Sequence, residues 1–227
     1  MDRTLRADGL TNARDLGGLP RRGGSRTPPG VFFRAENVDR LTPAACTCSQ
    51  PAERAHDGSP RPAWLTTRHV DHDGLDAHPE FWADYWENGL VGTALYYLPH
   101  LATLPERTGA VLAALADAPE GGVLFHCMAG RDRTGLIAAI LLSAVDTEPE
   151  AIVDDYLETV RRGAADPASG RAAAEAEMEA FCATYGTSTE GAFRDALAGL
   201  DVDALLDAAG VPEGVRGRLR SWRGAIG

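Results

Sequence analysis

A short apolar run followed by an almost wholly apolar helix is the feature that most limits the folds open to this chain. Residues 123–126 read Val-Leu-Phe-His after a Gly-Gly pair, which is typical of a short strand. The stretch from Leu136 to Val145 is apolar nearly all round, so we predict a helix buried in the middle of the domain. The segment that joins the two is the most informative part of the sequence.

That segment has the order of residues that an anion-binding loop requires. The five residues between Cys127 and Arg133 can curl so that successive backbone N–H groups point into one concavity. The following helix adds the positive end of its dipole, and a cysteine in such a field is expected to be a thiolate at neutral pH. Arg133 offers a planar fork for two phosphate oxygens. Gly130 allows a sharp backbone turn, and Gly135 allows the helix to pack closely on neighbouring strands.

The overall charge excludes one broad class of function. The 227 residues include 33 acidic and 22 basic side chains, giving a net charge of -11, and all of those basic side chains are arginine. Nucleic-acid binding requires a basic surface, so we expect none, and broad affinity for anionic membranes is equally disfavoured. No stretch approaches the roughly eighteen apolar residues of a transmembrane helix, so we expect no integral membrane segment.

The cysteines and the N-terminal sequence lead to expectations about location and metals. Cys46, Cys48, Cys127 and Cys182 show no framework spacing, and MDRTLRADGL has no signal-peptide core. We therefore expect reduced thiols and a cytoplasmic protein, with specialised secretion left open. No second cysteine pair or histidine cluster completes a zinc site, so we expect no metal and no cofactor.

The remaining sequence predicts mainly helices. Short strands are predicted at Val31–Arg34 and Thr66–Val70, and the Ala/Glu run at 172–180 is predicted to be a solvated helix face. Prolines 99 and 105 are expected to bend or break a helix over 95–118, and another helix is expected to start near Pro149. The side chains predicted to face the core are Phe81, Trp82, Tyr85 and Trp86 in one helix and Ile152, Tyr156, Leu157 and Val160 in another.

At residues 126–135 the sequence resembles the cysteine-dependent protein tyrosine phosphatases, whose signature is HCxxGxxRTG. All six fixed positions match, and the form HCMAGRDRTG is similar to that of a bacterial atypical branch, HCxAGxDRTG. Supporting matches lie at Asn12–Gly18, Phe33–Arg34 and Ile152–Tyr156. The resemblance covers most of the chain to about residue 160 and extends weakly into the C-terminal helices.

The resemblance implies an α/β fold with a central, mostly parallel sheet flanked by helices, in a single domain over 1–227 with a C-terminal helical appendage at about 165–227. Cys127 would be the nucleophile of a phosphocysteine intermediate, and Arg133 would hold the phosphoryl oxygens. The other expected phosphate-binding residues are Met128, Ala129, Gly130, Arg131 and Thr134, whose hydroxyl could bond the released sulfur. His126 would orient the loop and Gly135 would support it.

The resemblance also implies a general acid within the loop. In this branch that acid is the aspartate before the arginine, here Asp132, and Asp71 and Asp73 are the rival candidates. Arg131 stands where the branch usually has lysine. A cation on the rim of the loop would favour multiply phosphorylated ligands.

One part of the chain departs from the branch. Between Leu41-Thr42 and the Pro51-Ala-Glu53 element, the branch places a helix and a strand, but only residues 43–50 are available. A crossover helix with its strand needs about a dozen residues or more. We therefore expect that this helix–strand unit has been lost, at a cost in stability.

Several functions remain open. The leading interpretation is a phosphatase acting on phosphotyrosine in proteins, with dual-specificity or phosphoinositide activity as the alternative. A phosphate-binding pseudo-phosphatase with an impaired fold is the second class, and sulfurtransferase or arsenate reductase chemistry is the third. The Arg133–Gly135 ending favours a phosphatase over the third class. The substrate would be a phosphoprotein or a phosphoinositide, and the sequence does not indicate the oligomeric state.

Overall fold

The computed structural model describes residues 2–7, 9–38, 65–166 and 170–226. Three short strands lie in this part of the chain: β1 (Arg14–Asp15), β2 (Phe32–Ala35) and β3 (Val123–His126). The α-helices are α1 (Pro79–Trp86), α2 (Tyr97–Thr103), α3 (Pro105–Ala116), α4 (Asp132–Ser143), α5 (Pro149–Ala164), α6 (Arg171–Thr184), α7 (Thr189–Ala198), α8 (Val202–Ala208) and α9 (Glu213–Arg220). A 3-10 turn at Ala94–Tyr96 precedes α2. None of the described helices has the length and apolar character needed to cross a bilayer.

The described strands form a small mixed sheet in the order β1-β2-β3. β1 is antiparallel to β2, whereas β2 is parallel to β3, with Arg34 opposite Phe125. β1 ends early because the Asp15 carboxylate accepts hydrogen bonds from the amides of Gly17 and Gly30, each at 2.7 Å. The predicted α/β class is confirmed, but a mostly parallel sheet is not, since one of the two described strand pairs is antiparallel. The unit predicted to be missing near 43–50 lies outside the described residues.

The predicted buried helix is present as α4. Every residue from Thr134 to Leu142 is buried, and all four residues of β3 are buried beside it. α4 contacts β2, β3 and α5. A helix with no solvated stripe must be covered all round, as it is here. The fold thus fixes both ends of the 127–131 segment on buried elements.

Most of the predicted elements are present, with two corrections. Val31–Arg34 forms β2, and prolines open both α3 and α5. In the aromatic stripe Trp82 is buried, but Trp86 is 55% exposed and so does not face the core as predicted. The strand predicted at Thr66–Val70 is wrong, because residues 65–70 have no regular structure. Residues 66–69 are exposed, so they offer no apolar face that would hold a strand on the core.

The helices that follow residue 165 pack on the same core as the sheet. Phe193 of α7 stacks on Tyr156 of α5 with ring centroids 3.9 Å apart. Trp222 is fully buried, meets Phe32 of β2 edge-on at 4.8 Å, and donates its indole N–H to Pro28 O at 3.0 Å. One continuous cluster of buried residues includes members of β2, α4, α7 and α8. The segment after residue 165 therefore shares one core with the sheet.

Candidate active site

The end of β3 places Cys127 at the base of a tight loop. Cys127 directly follows His126, the last residue of the strand, and is 4% exposed. We call residues 127–131 the cysteine loop; α4 begins at the next residue. Gly130 has φ of +65°, and a Cβ there would lie 2.3 Å from Ala35 O. Only glycine therefore lets the loop fold this closely over the end of β2.

The backbone of the cysteine loop is oriented by donors that lie outside it. The Asn37 amide binds Met128 O at 3.0 Å, the Asn12 side chain binds Ala129 O at 3.3 Å, and Arg34 Nη2 binds Gly130 O at 2.8 Å. In a trans peptide the C=O and the next N–H point in opposite directions, and no described peptide bond is cis. The amides of Ala129, Gly130 and Arg131 consequently point away from these donors, into the concavity. This orientation is the one that the predicted anion-binding loop requires.

Arg133 lies in the first turn of α4 and lines the same small cavity as Cys127. Its Nη1 is 3.0 Å from Asp73 Oδ2, and both side chains are partly buried. Burial raises the pKa of Asp73, the Arg133 charge opposes that rise, and Asp71 adds to it. Asp71 itself pairs with Arg107 at 3.1 Å and is largely exposed. Of the two rival acids, the structure brings Asp73 to Arg133 and leaves Asp71 at the surface.

Asp132 begins α4 and is held from one side. Its Oδ2 accepts hydrogen bonds from Tyr96 Oη at 2.9 Å and from the Gly92 amide at 3.2 Å. Its Oδ1 is buried and accepts no hydrogen bond within the described ranges. Burial raises the pKa of Asp132 to about 6, although the Tyr96 hydrogen bond and the charges of Arg131 and Arg133 act against the rise. Asp132 can therefore hold a proton near neutral pH, and Oδ1 is the oxygen left to carry it.

Arg131 does not provide the exposed rim cation that the sequence predicts. Its side chain is 3% exposed and its Nε lies 2.8 Å from Glu175 Oε2 of α6. It also donates to Gly92 O and lies over the Tyr156 ring at 5.7 Å. Glu175 belongs to the Ala/Glu run that was predicted to be solvated. Alanine lies on every face of that run, so hydrophobic periodicity could not single out the buried side.

Sequence reasoning missed a different arginine at the loop. Arg171, the first residue of α6, places Nη2 3.3 Å from Ala129 O and Nη1 3.2 Å from Thr11 Oγ1. It follows Ala129 by 42 residues, and no local pattern links the two.

Met128 is the exposed apolar residue of the loop, with 61% of its surface accessible.

The remaining predicted site residues lie close to Cys127. His126 is buried and its Nδ1 is 3.1 Å from Cys127 O. Thr134 is buried as well, but in the described part of the chain its hydroxyl has no hydrogen-bond partner, so the expected bond to the sulfur is not formed here. At Gly135, an added Cβ would be 3.0 Å from the Tyr156 ring and 3.1 Å from Tyr97 Oη. The glycine thus permits close packing on helices, where strands had been expected.

The described residues contain no group of three or more His, Cys, Asp or Glu side chains that could hold a metal ion. Two histidines beside the site are instead part of the packing. His72 donates to or accepts from Thr108 Oγ1 at 3.0 Å, and its ring lies 4.6 Å from that of His100. Burial holds the pKa of His72 well below its usual value, helped by the charges of His100 and Arg133, so it is neutral at physiological pH.

Comparison with known proteins agrees with this geometry. The model of the tyrosine phosphatase family matches residues 5–50 and 85–213. A putative tyrosine-protein phosphatase of Cupriavidus necator is 28% identical over 177 residues, covering 70% of this chain and 64% of that protein. The triple specificity protein phosphatase PtpB of Mycobacterium tuberculosis is 29% identical over 171 residues, covering 69% and 54%. A tyrosine-protein phosphatase of Nostoc commune is 46% identical over 46 residues, covering 20% and 16%.

The aligned region spans less than two thirds of the length of each of these relatives. The family model, in contrast, matches well over half of this chain and includes β1, β2, the cysteine loop and α4 to α8. Because the family model matches well over half of its residues, including the cysteine loop, the chain belongs to the tyrosine phosphatase family.

Proposed function

We propose that this chain hydrolyses phosphate monoesters, with phosphotyrosine in proteins as the substrate, through a phosphocysteine intermediate on Cys127. The observation that carries the proposal is the outward orientation of three successive loop carbonyls, which turns three N–H groups toward one concavity. α4 begins where the cysteine loop ends, and Arg133 lies in its first turn. Backbone donors, a guanidinium and a helix N-terminus together form a site for a phosphoryl group.

In the first step, Cys127 Sγ attacks phosphorus, so that an S–P bond forms while the P–O bond to the leaving group breaks. The transition state is loose, and its charge lies on the three non-bridging oxygens. The loop amides and Arg133 stabilise that charge because they are fixed before the substrate binds. The leaving oxygen takes its proton from Asp132.

In the second step, water attacks the phosphocysteine. A new P–O bond forms, the S–P bond breaks, and the thiolate of Cys127 is restored. Asp132, now ionised, accepts the proton that the water loses, which returns the carboxyl group to its starting state. Its raised pKa suits it to both directions of transfer.

Asp73 pairs with the guanidinium of Arg133 that is proposed to bind the substrate phosphate. Because Nη1 of Arg133 is 3.0 Å from Asp73 Oδ2, a phosphoryl group that uses this nitrogen competes with the carboxylate. Asp73 is anchored by its own backbone, whose carbonyl accepts from Trp82 Nε1 at 2.6 Å. Asp73 is therefore the alternative acid, and it is tested alongside Asp132.

The acidic surface favours a phosphoprotein over a lipid, since a chain of net charge -11 is repelled by anionic membranes. The relative named as a triple specificity phosphatase supports dual-specificity or phosphoinositide hydrolysis as the alternative. Relative rates on a phosphotyrosine peptide, a phosphoserine peptide and a phosphoinositide distinguish these substrates.

The nucleophile is tested with a chromogenic aryl phosphate. We expect Cys127→Ser to abolish turnover and Cys182→Ser, which changes the other described cysteine, to retain it. Wild-type turnover in Cys127→Ser would refute the proposed nucleophile. A wild-type chain that binds phosphate but turns over none of the substrates would be a pseudo-phosphatase.

The acid is tested by varying the leaving group. Loss of a general acid costs ~10²–10⁴-fold when the leaving group is poor and much less when it is good. We expect Asp132→Asn to lose that factor on phosphotyrosine peptide and little on 4-nitrophenyl phosphate. If Asp73→Asn shows this difference and Asp132→Asn does not, the acid is Asp73.

A further inference from the structure

Three arginines converge on one buried carboxylate beneath the cysteine loop. Asp155 Oδ1 lies 2.8 Å from Arg3 Nη1 and 2.9 Å from Arg14 Nε, and Oδ2 lies 2.7 Å from Arg34 Nη1. The four residues come from the N-terminal segment, β1, β2 and α5. We call them the arginine cluster. The sequence singles out Arg14, Arg34 and Asp155 only within supporting family matches and does not single out Arg3. The structure shows that the four residues meet at one point.

The arginine cluster has more positive charge than its carboxylate can neutralise. The side chains of Arg14, Arg34 and Asp155 are at most 1% exposed, and that of Arg3 is 19% exposed. Burial alone would raise the pKa of Asp155, but the charges of Arg14, Arg34 and Arg3 hold it well below its usual value. Burial lowers the pKa of Arg14 to about 10, so that arginine is still protonated at neutral pH. Two positive charges remain in excess.

The arginine cluster is joined to the outer side of the cysteine loop at two points. Arg34 Nη2 donates to Gly130 O at 2.8 Å, on the same peptide group whose N–H points into the concavity. Arg14 Nη1 donates to Asn12 Oδ1 at 2.7 Å, and Asn12 Nδ2 in turn donates to Ala129 O at 3.3 Å. The arginines thus fix the directions of two loop amides.

Stability alone does not account for the unbalanced charge. Buried ion pairs contribute little net stability, and an excess of buried cations costs free energy. A dianion in the cysteine loop would offset that excess. From peptide and hydrogen-bond lengths, the phosphorus of a bound phosphoryl group lies roughly 9 Å from Arg34 Nη2. At that distance and an effective dielectric of ~20, one buried charge changes the affinity for a dianion by roughly two to three orders of magnitude.

We propose that Arg14 and Arg34 are positioning residues that orient the amides of the cysteine loop, and that the excess charge of Arg3, Arg14 and Arg34 favours a dianion within it. The inference rests on the proposed function for its ligand, but its test does not require turnover. Arg34 acts by both contact and charge. Arg3 touches no loop residue in the described structure and acts by charge alone.

Other charged and titratable groups also face the loop, and all of them stay unchanged when Arg3 is replaced. They are Arg131, Asp132 and Arg133 at the start of α4, His72 and Asp73 from the segment before α1, His126 of β3, Glu36 after β2, and Arg171 and Glu175 of α6. A change seen on replacing Arg3 is therefore assigned to the arginine cluster.

The experiment compares Arg3→Gln, Arg34→Gln and the control Arg6→Gln with the wild-type chain. Arg6 lies in the same N-terminal segment, is 85% exposed and pairs only locally with Asp2. Binding of inorganic phosphate is measured by calorimetry, and the thiolate is followed by the rate of Cys127 alkylation by iodoacetamide against pH. Cys127→Ser gives the background alkylation.

We expect Arg3→Gln to weaken phosphate binding roughly tenfold, less than loss of a buried arginine would, because the Arg3 charge lies beyond Asp155 and is 19% exposed; Cys127 alkylation should be slower. Arg34→Gln should weaken binding further, because it also releases Gly130 O. Arg6→Gln should match the wild type, and Arg3→Lys should restore both readouts. Arg34→Gln breaks a buried ion pair. If that variant does not fold, the comparison of Arg3→Gln with Arg3→Lys still tests the effect of the charge.

An Arg3→Gln variant that is folded and equals Arg6→Gln in both readouts would overturn the charge effect. An Arg34→Gln variant that also binds phosphate like the wild type would overturn the positioning role. If the wild-type chain binds phosphate and shows these shifts but hydrolyses nothing, the proposed function fails and the inference about the arginine cluster stands.

Discussion

Asp132 should make the stability of this protein depend on pH in a direction opposite to that of most carboxylates. Its pKa is raised from 3.8 to about 6 in the folded chain because burial disfavours the charged form. A carboxyl group with a raised folded pKa stabilises the fold fully below the unfolded pKa, and that stabilisation is lost as pH rises through the folded pKa. At 1.36 kcal/mol per pKa unit, the full loss is about 3 kcal/mol.

Asp132→Asn removes this titration and keeps the shape of the side chain. The asparagine oxygen can still accept hydrogen bonds from Tyr96 and Gly92, which now go to Oδ2. We expect the wild type to lose about 2.5 kcal/mol of unfolding free energy relative to Asp132→Asn between pH 4 and pH 7.5. In Asp132→Asn an amide NH2 group takes the place of Oδ1. It changes the difference in unfolding free energy from the wild type by the same amount at every pH, so the pH dependence of that difference is unaffected.

The measurement is urea unfolding of both proteins at half-unit pH steps. Asp154→Asn, on the solvent-exposed side of α5, serves as the control for the substitution itself. As pH rises, the unfolding free energies of the wild type and of Asp154→Asn should fall by the same amount relative to that of Asp132→Asn. If Asp132→Asn and the wild type show the same dependence between pH 4 and 7.5, then Asp132 is not protonated in the fold near pH 6, and its assignment as the acid loses its physical basis.

Three further substitutions test the packing that supports the site. Gly130→Ala should abolish phosphate binding because its Cβ would clash with the backbone of β2. Gly121→Ala is the control, since Gly121 also has a positive φ but has open space around it. That variant should lose only about 1–2 kcal/mol of unfolding free energy and should still bind phosphate. Arg131→Met should destabilise by about 3–5 kcal/mol in chemical unfolding because it leaves Glu175 as a buried unpaired charge, and adding Glu175→Leu should restore most of the loss. Trp222→Ala should cost about 3–5 kcal/mol in the same assay, and a loss below 1 kcal/mol would contradict its place in the core.

The sequence predicts the centre of the site well because the signals there are local. β3, the cysteine loop and α4 follow one another without interruption, and the apolar run, the glycine and the helix start each have a direct structural cause. The same holds for helices opened by proline, at Pro105 and Pro149. These features require no knowledge of what packs against them.

The parts that were missed depend on tertiary contacts. The side chain of Arg131 turns to Glu175, 44 residues away, and leaves the rim to Arg171. Nothing in either neighbourhood indicates which arginine is buried, because burial of a charge is decided by whether a partner lies opposite. Thr66–Val70 fails as a strand for the same reason: a short run forms a strand only where one of its faces has something to cover.

The contact between Trp222 and β2 also has a consequence for the order in which the molecule assembles. The indole N–H of Trp222 reaches Pro28 O across 194 positions of sequence, and Arg3 reaches Asp155 across 152. Chains whose native contacts are this distant in sequence fold slowly, since large loops must close before any contact is gained. During synthesis, β2 and the cysteine loop leave the ribosome well before Trp222 can pack against Phe32. Until then the apolar surface of Phe32 that Trp222 will cover is exposed, and contacts with other unfolded chains compete with native packing.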